Sequence, residues 1–290
     1  MRILKDSHEL LKVLDLELID TNLYRGGNHD IGAHHVFGGQ VLSQALHAAM
    51  MSVSEDRFVH SMHAYFVLPG DLQHPIIYNI DQVRDGGSFT TRRVRAIQHG
   101  KDIFILAASF QLKQEGFDHQ IEMPEIPGPE KLYSDQDLLE KYADLIPVAY
   151  RRYLRPRPIE FRPVDPSNFL GNKDQEPLRY VWFKAKGKLS QDVRVHQRLL
   201  AYASDYNLLT TALQPHQEEA VQHKVQLASI DHAMWFHRDF AVDHWLLYMV
   251  DSPSAGNARG FTRGSIFTED GILVASVVQE GLLRKKGKRD

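Results

Sequence analysis

Residues 36–50 read VFGGQVLSQALHAAM. Val41, Leu42, Ala45, Leu46 and Ala49 recur at helical spacing, so a helix with one apolar face is expected here, starting at Gly38 and Gly39. Downstream the period changes to two. Ile76, Tyr78 and Ile80 alternate with more polar residues, Asp85-Gly86-Gly87 makes a turn, and Ser88–Gln98 reads as a strand carrying Arg92, Arg93 and Arg95. His99-Gly100-Lys101-Asp102 turns the chain again, and Ile103–Gln111 is an apolar strand. Upstream, Asp6 stands three residues before Glu9 and Leu10, Leu11 and Leu14 share a face, which predicts a short helix over 6–16. One long helix followed by antiparallel strands implies an α+β unit, a sheet packed on a helix.

The second half repeats this order. Leu199, Leu200, Ala203 and Tyr206 predict a helix over His196–Leu213, and Tyr180–Phe183, Val225–Ser229, Trp245–Val250, Gly260–Phe267 and Ile272–Gln279 read as strands. His63-Ala64 before Tyr65-Phe66 matches His232-Ala233 before Met234-Trp235-Phe236, and AASFQ ending at Gln111 matches ASVVQ ending at Gln279. The offsets are 169 (63 to 232) and 168 (111 to 279), which points to an internal duplication. Between the halves, residues 116–177 hold nine of the thirteen prolines, a density that disfavours regular sheet. Ser134-x-x-Asp137 predicts one short helix within that stretch. The expected division is a first domain over 1–115, a proline-rich linker over 116–177 and a second domain over 178–290.

The composition narrows the function. Of 290 residues 43% are hydrophobic and 24% charged, the ordinary globular range. A formal net charge of −3 provides no field for steering nucleic acid, so no nucleic-acid partner is expected. The absence of cysteine removes disulfides, zinc–thiolate sites and a cysteine nucleophile. Charges interrupt the first twenty residues, which read as neither signal peptide nor membrane span, and no Ser-Lys-Leu ends the chain; a cytoplasmic location is expected. The basic tail Arg284–Asp290 reads as a solvated, frayed terminus. No G-x-S-x-G, G-x-G-x-x-G, P-loop or H-E-x-x-H pattern occurs, and the sixteen histidines are scattered with no metal-cage spacing. Neither metal nor cofactor is expected, and a hydrolase of this composition would use direct attack by water.

Several segments together resemble the acyl-CoA thioesterase II family: LYRGG (23–27), VFGGQVLSQAL (36–46), VHSMHAYFVLPGD (59–71), SFTTRRVRAIQHGK (88–101), LLAYASDYNLL (199–209), SIDHAMWFHRDF (229–240), WLLYMVDSPSAGNARGF (245–261) and LVASVVQEG (273–281). They keep the family's order from residue 23 to residue 281. The resemblance implies two tandem hot-dog domains, each a long helix wrapped by a curved antiparallel sheet, and hydrolysis of fatty acyl-CoA to free acid and coenzyme A. It implies a hydrogen-bonded Asp, Thr or Ser, and Gln around the attacking water, which fall on Asp205, Ser229 and Gln279. Serine keeps the donor and acceptor but loses the methyl group that restrains threonine. It also implies a homo-oligomer, dimer or tetramer.

The chemistry stands on its own terms. A thioester needs an oriented water, a proton acceptor and donors aimed at the developing oxyanion. Asp205 can accept the proton, Ser229 and Gln279 can orient the water, and backbone N–H groups near Gly38 and Gly39 can face the oxyanion. His60 and His63 are further candidates for substrate or oxyanion contact, and His60, His63 and His232 for a general base. Arg92, Arg93 and Arg95 are candidates for the coenzyme A phosphates, although alternating arginines on a strand ordinarily form a solvated face. Two other functions compete: hydration of an enoyl-CoA, which would call for an Asp and His pair near a helix start, and acyl-CoA binding without turnover, which would leave the polar trio idle.

Overall fold

The computed structural model describes residues 3–144, 146, 156–167 and 173–288. Each half is a helix laid against an antiparallel sheet. The first half contains helix α1 (Ser7–Leu14), strands β1 (Leu16–Asp20) and β2 (Leu23–Gly26), helix α2 (Gly38–Met50), and strands β3 (Arg57–Phe66), β4 (Ile76–Asp85), β5 (Phe89–Gln98) and β6 (Lys101–Leu112). Helix α3 (Asp135–Tyr142) and strand β7 (Ile159–Pro163) follow. The second half has β8 (Leu178–Ala185), helix α4 (Val193–Ser204), β9 (His223–Ser229), β10 (Asp231–Phe236), β11 (Leu246–Gly256), β12 (Arg259–Thr268) and β13 (Leu273–Lys288).

The strands form one sheet in the order β1-β2-β4-β5-β6-β3-β10-β13-β12-β11-β8-β7, with β9 added beside β13. The two halves thus run outward from the seam in the same strand order, joined edge to edge through β3 and β10. That seam pairs Ala64 with His232 and His63 with Ala233, so the two His-Ala copies face each other across a local twofold. The architecture is two tandem hot-dog units sharing one continuous sheet. A single apolar core runs through both, from Leu46, Met62 and Phe104 to Leu199, Met234 and Val277.

The proline-rich segment is more structured than its composition suggests. Ser134 accepts from the Asp137 backbone and Asp137 bonds back to the Ser134 N–H, so the expected capping box starts α3. Strand β7 pairs only with β8, and Pro163 ends it at the sheet edge, where a missing N–H removes no ladder bond. Trp182 donates its indole N–H to the Pro127 carbonyl at 2.9 Å, and Met123, Ile126 and Leu132 pack on the aromatic group formed by Trp182, Trp245 and Phe267. Pro147 lies outside the described residues.

The C-terminus corrects another expectation. Strand β13 continues through Arg284 and Lys285 to Lys288, paired with β9 from Gly281↔Ser229 to Lys288↔His223. Backbone pairing holds what charge alone suggested would fray; Arg289 and Asp290 lie outside the described residues.

Helices α2 and α4 cross antiparallel at close range. Ser43 Oγ donates to the Arg198 carbonyl at 2.9 Å, and a Cβ on Gly39 would stand 2.3 Å from the Tyr202 carbonyl oxygen. Only glycine permits that approach. The start of α2 therefore abuts the end of α4.

Candidate active site

The expected helix over His196–Leu213 is broken. Helix α4 ends at Ser204, Asp205 is its C-cap, and Asn207 takes a left-handed conformation (φ 71°) before a short turn of helix at Leu208–Thr211. Asp205 is thus not in a helix interior. It sits at the negative end of α4, facing the positive end of α2. The Gly39 backbone N–H donates to its carboxylate, and a Cβ on Gly38 would lie 2.6 Å from Asp205 Oδ2.

Gln279 comes from the middle of β13, not from a strand end. Strict alternation turns it inward, and it is 1% exposed. Its amide nitrogen donates to Asp205 Oδ1 at 3.0 Å and to Ser229 Oγ at 2.6 Å. Those two bonds use both amide hydrogens, so Gln279 ties carboxylate and hydroxyl together. Its oxygen is buried without a hydrogen-bond partner. Ser229 ends β9, and as an acceptor from Gln279 it keeps its own O–H to donate.

Burial pushes the Asp205 carboxyl up to about 7, against the lowering effect of the bonds from Gln279 and Gly39. His232 is fully buried, with Nδ1 4.0 Å from Asp205 Oδ1, and desolvation lowers its imidazole to about 3. A neutral ring forms no ion pair with the carboxylate. Its tautomer follows from Ser204: that hydroxyl donates its one hydrogen to the Ala201 carbonyl at 3.0 Å, so it can only accept from His232 Nε2 at 3.0 Å. The Nδ1 lone pair is then left without a partner, turned to the carboxylate side.

Asp205, Ser229 and Gly38 line a cavity of about 720 Å³. Its walls come from both halves: Phe37, Val41, Phe66 and Phe104 from the first, Tyr202, Tyr206 and Leu209 from the second. Phe37 packs on Tyr202 and Tyr206 with ring centroids 5.2 and 4.5 Å apart. Arg157 enters the wall from the segment between the halves, over the rings of Phe161 and Tyr206 and paired with Asp135. The cavity is mostly apolar, with Asp205 and Ser229 among its polar lining, the arrangement of a site for an apolar ligand with a reactive end.

Other expected contacts are not brought to this cavity. Gly39 has its N–H on Asp205 and does not line the cavity, which leaves Gly38 as the glycine facing it. His60 and His63 are three residues apart and would alternate faces, but a bulge between Val59 and Ser61 returns His60 to the outer face with His63. There His60 Nε2 meets Ser109 Oγ at 2.8 Å, and His63 stands edge-on to Trp235 at 5.1 Å; neither lines the cavity. Arg93 pairs with Asp81 and Arg95 with Asp102 on the exposed face, while Arg92 turns inward to Asp85 and Ser52. The aromatic wall and Arg157 had no sequence signal, since nothing local marks which side chains a cavity will gather.

Two family models match the chain. Residues 154–282 match a model described as acyl-CoA thioesterase, and residues 25–111 one described as acyl-CoA thioesterase N-terminal domain. The chain is 42% identical to acyl-CoA thioesterase 2 of Haemophilus influenzae over 96% of this chain and 97% of that protein. The chain belongs to the acyl-CoA thioesterase II family. The thioesterase is also 44% identical to human acyl-coenzyme A thioesterase 8, over 94% of this chain and 88% of that one. Among solved structures it is similar to the acyl-CoA thioesterase II TesB2 from Mycobacterium marinum, with a TM-score of 0.79 and 40% identity over 95% of this chain and 98% of that chain. Among the described residues no helix is long and apolar enough to cross a membrane.

Proposed function

We propose that the protein hydrolyses fatty acyl-CoA to free acid and coenzyme A, using a water held by Asp205, Ser229 and Gln279. The observation that carries this is the Gln279 amide nitrogen, within hydrogen-bond distance of both the Asp205 carboxylate and the Ser229 hydroxyl, at the edge of an apolar cavity. The water oxygen attacks the thioester carbonyl carbon as Asp205 takes its proton. The oxyanion develops near the start of α2, where the Gly38 N–H and the helix dipole favour negative charge. Collapse breaks the carbon–sulfur bond, and the leaving thiolate takes the proton from Asp205. No covalent enzyme intermediate forms. The apolar walls take the acyl chain.

Single turnover in ¹⁸O-labelled water tests this reading. Label is expected in the released acid and not in the enzyme, and Asp205→Asn is expected to fold and lose most turnover. Label in an enzyme carboxylate after one turnover would replace direct attack by an anhydride.

The same reading divides the chain into domains at 1–115 and 178–290 around the segment 116–177. It places the protein in the cytoplasm and assembles it as a homo-oligomer. The exposed outer-face residues Tyr65 and Ile105, beside the seam, support self-association, and light scattering on the purified chain measures it.

A further inference from the structure

We propose that the protein binds one transition-metal dication of the zinc type at a surface site formed by Asp71, His74 and His99. This site is separate from the catalytic corner. Asp71 and His74 stand on the loop after β3, and His99 on the two-residue turn between β5 and β6. The carboxylate and the two imidazoles each offer one ligand atom, and these lie within 4.8 Å of one another. His74 Nδ1 is 2.7 Å and His99 Nε2 3.0 Å from the same oxygen, Asp71 Oδ2. The other carboxylate oxygen is already taken by the Gln73 N–H at 2.8 Å, so both rings converge on the one that is left.

Ligands about 2.0–2.1 Å from a tetrahedral zinc ion stand about 3.3 Å apart. His74 Nδ1 therefore needs to withdraw from Asp71 Oδ2 by about 0.6 Å and His99 Nε2 by about 0.3 Å. The mixed imidazole and carboxylate set selects zinc, copper, nickel or cobalt over magnesium and calcium, which take oxygen ligands. Three protein ligands leave a fourth position to solvent.

The backbone beneath the cluster is braced by two side-chain amides, those of Gln98 and Asn28. The Gln98 side chain, 4% exposed, accepts from the Asp71 N–H at 2.8 Å and donates to the Asp71 and His74 carbonyls at 2.9 and 2.6 Å. The Asn28 amide donates to the same two carbonyls. His99 itself adopts φ 50°, followed by Gly100 at 72°, in a turn where Asn-Gly is the usual choice. That conformation aims its ring at Asp71. The Gln98 and Asn28 bonds hold the backbone that carries Asp71 and His74, two of the three ligands. None of the three ligand side chains lines the cavity, but Val67–Gly70, just upstream, does. A bound ion would staple that wall to the β5–β6 turn.

The test uses the full chain, free of any histidine tag and dialysed against chelator. Calorimetric titration with zinc chloride is expected to show one equivalent bound, with a rise in Tm. Titration with cobalt(II) is expected to give the visible bands of a low-symmetry nitrogen and oxygen site. His74→Ala and His99→Ala are each expected to weaken zinc binding at least ~10-fold. The double variant is expected to keep the metal-free Tm of the parent while losing the zinc-dependent rise. Absence of binding to the parent, or equal zinc affinity in the double variant, overturns the proposal.

Discussion

Burial disfavours the charged form of Asp205 and outweighs the bonds from Gln279 and the Gly39 N–H, and the result is a carboxyl at about 7, matched to a base working near neutrality. The base must be ionised to act. Thus kcat/KM is expected to rise with pH through about 7 and then level off, and a flat profile from pH 5 to 8 would remove Asp205 as the titrating base. The stability sign is opposite. The folded value lies above the unfolded carboxylate value of about 3.9, so the contribution is fully present below that value and is lost as pH rises through about 7. Asp205→Asn, neutral throughout, is expected to be inactive yet to gain Tm relative to the parent as pH rises across this window, by the equivalent of a few kcal/mol. Thermal unfolding at pH 4 and pH 8 measures the difference. Ser229→Ala removes one donor and is expected to lower kcat by about 100-fold, while Ser229→Thr, which keeps the hydroxyl, is expected to retain activity; steady-state kinetics separate the two. The polar trio was legible in the sequence only through its motif context. Spacing alone placed Asp205 inside a helix and Gln279 at a strand end, because neither the break at Asn207 nor the extension of β13 is written in local periodicity.

At the scale of elements, the glycine pair at the start of α2 shows how one position serves packing and its neighbour serves chemistry. A Cβ at residue 39 meets a backbone carbonyl, which cannot give way, whereas at residue 38 it meets the Asp205 carboxylate and the Phe66 ring. Gly39→Ala is therefore expected to lower stability by ~1–3 kcal/mol through a forced shift of α2 against α4. Gly38→Ala is expected to leave Tm nearer the parent and to depress kcat by displacing Asp205. Denaturant unfolding and turnover measured on both variants check this, and equal losses in both quantities for both variants would contradict it. The helices α1, α2 and α3 and most strands were legible because their periods and caps are local. Strand β7 was hidden by its proline, since an edge strand tolerates what a central one does not. The side on which His60 emerges was hidden by a bulge, a feature of pairing and not of composition.

At the scale of the molecule, one sheet and one core cross the seam between the halves. The units are therefore expected to unfold together, and calorimetry should give a single transition with matching calorimetric and van't Hoff enthalpies. Two separated transitions would show that the seam does not couple them. Met234→Ala, at a fully buried seam position, is expected to cost ~2–5 kcal/mol and to lower that one transition as a whole. The repeat was legible from two short matches; that its copies would pair edge to edge in one sheet was not, because sequence offset carries no information about which edges pair.

The duplication is also unequal. By the offsets that align the halves, Gln111 stands for Gln279 and His60 for Ser229, and the cap of α2 that corresponds to Asp205 of α4 is Met51. The first half thus carries no acid of its own, yet it lends the glycine start of its helix to the acid of the second. Stoichiometry follows from this asymmetry: a tight-binding mimic of the tetrahedral intermediate should silence each polypeptide at one molecule per chain, and neither repeat cut from its twin should inherit half of the catalysis.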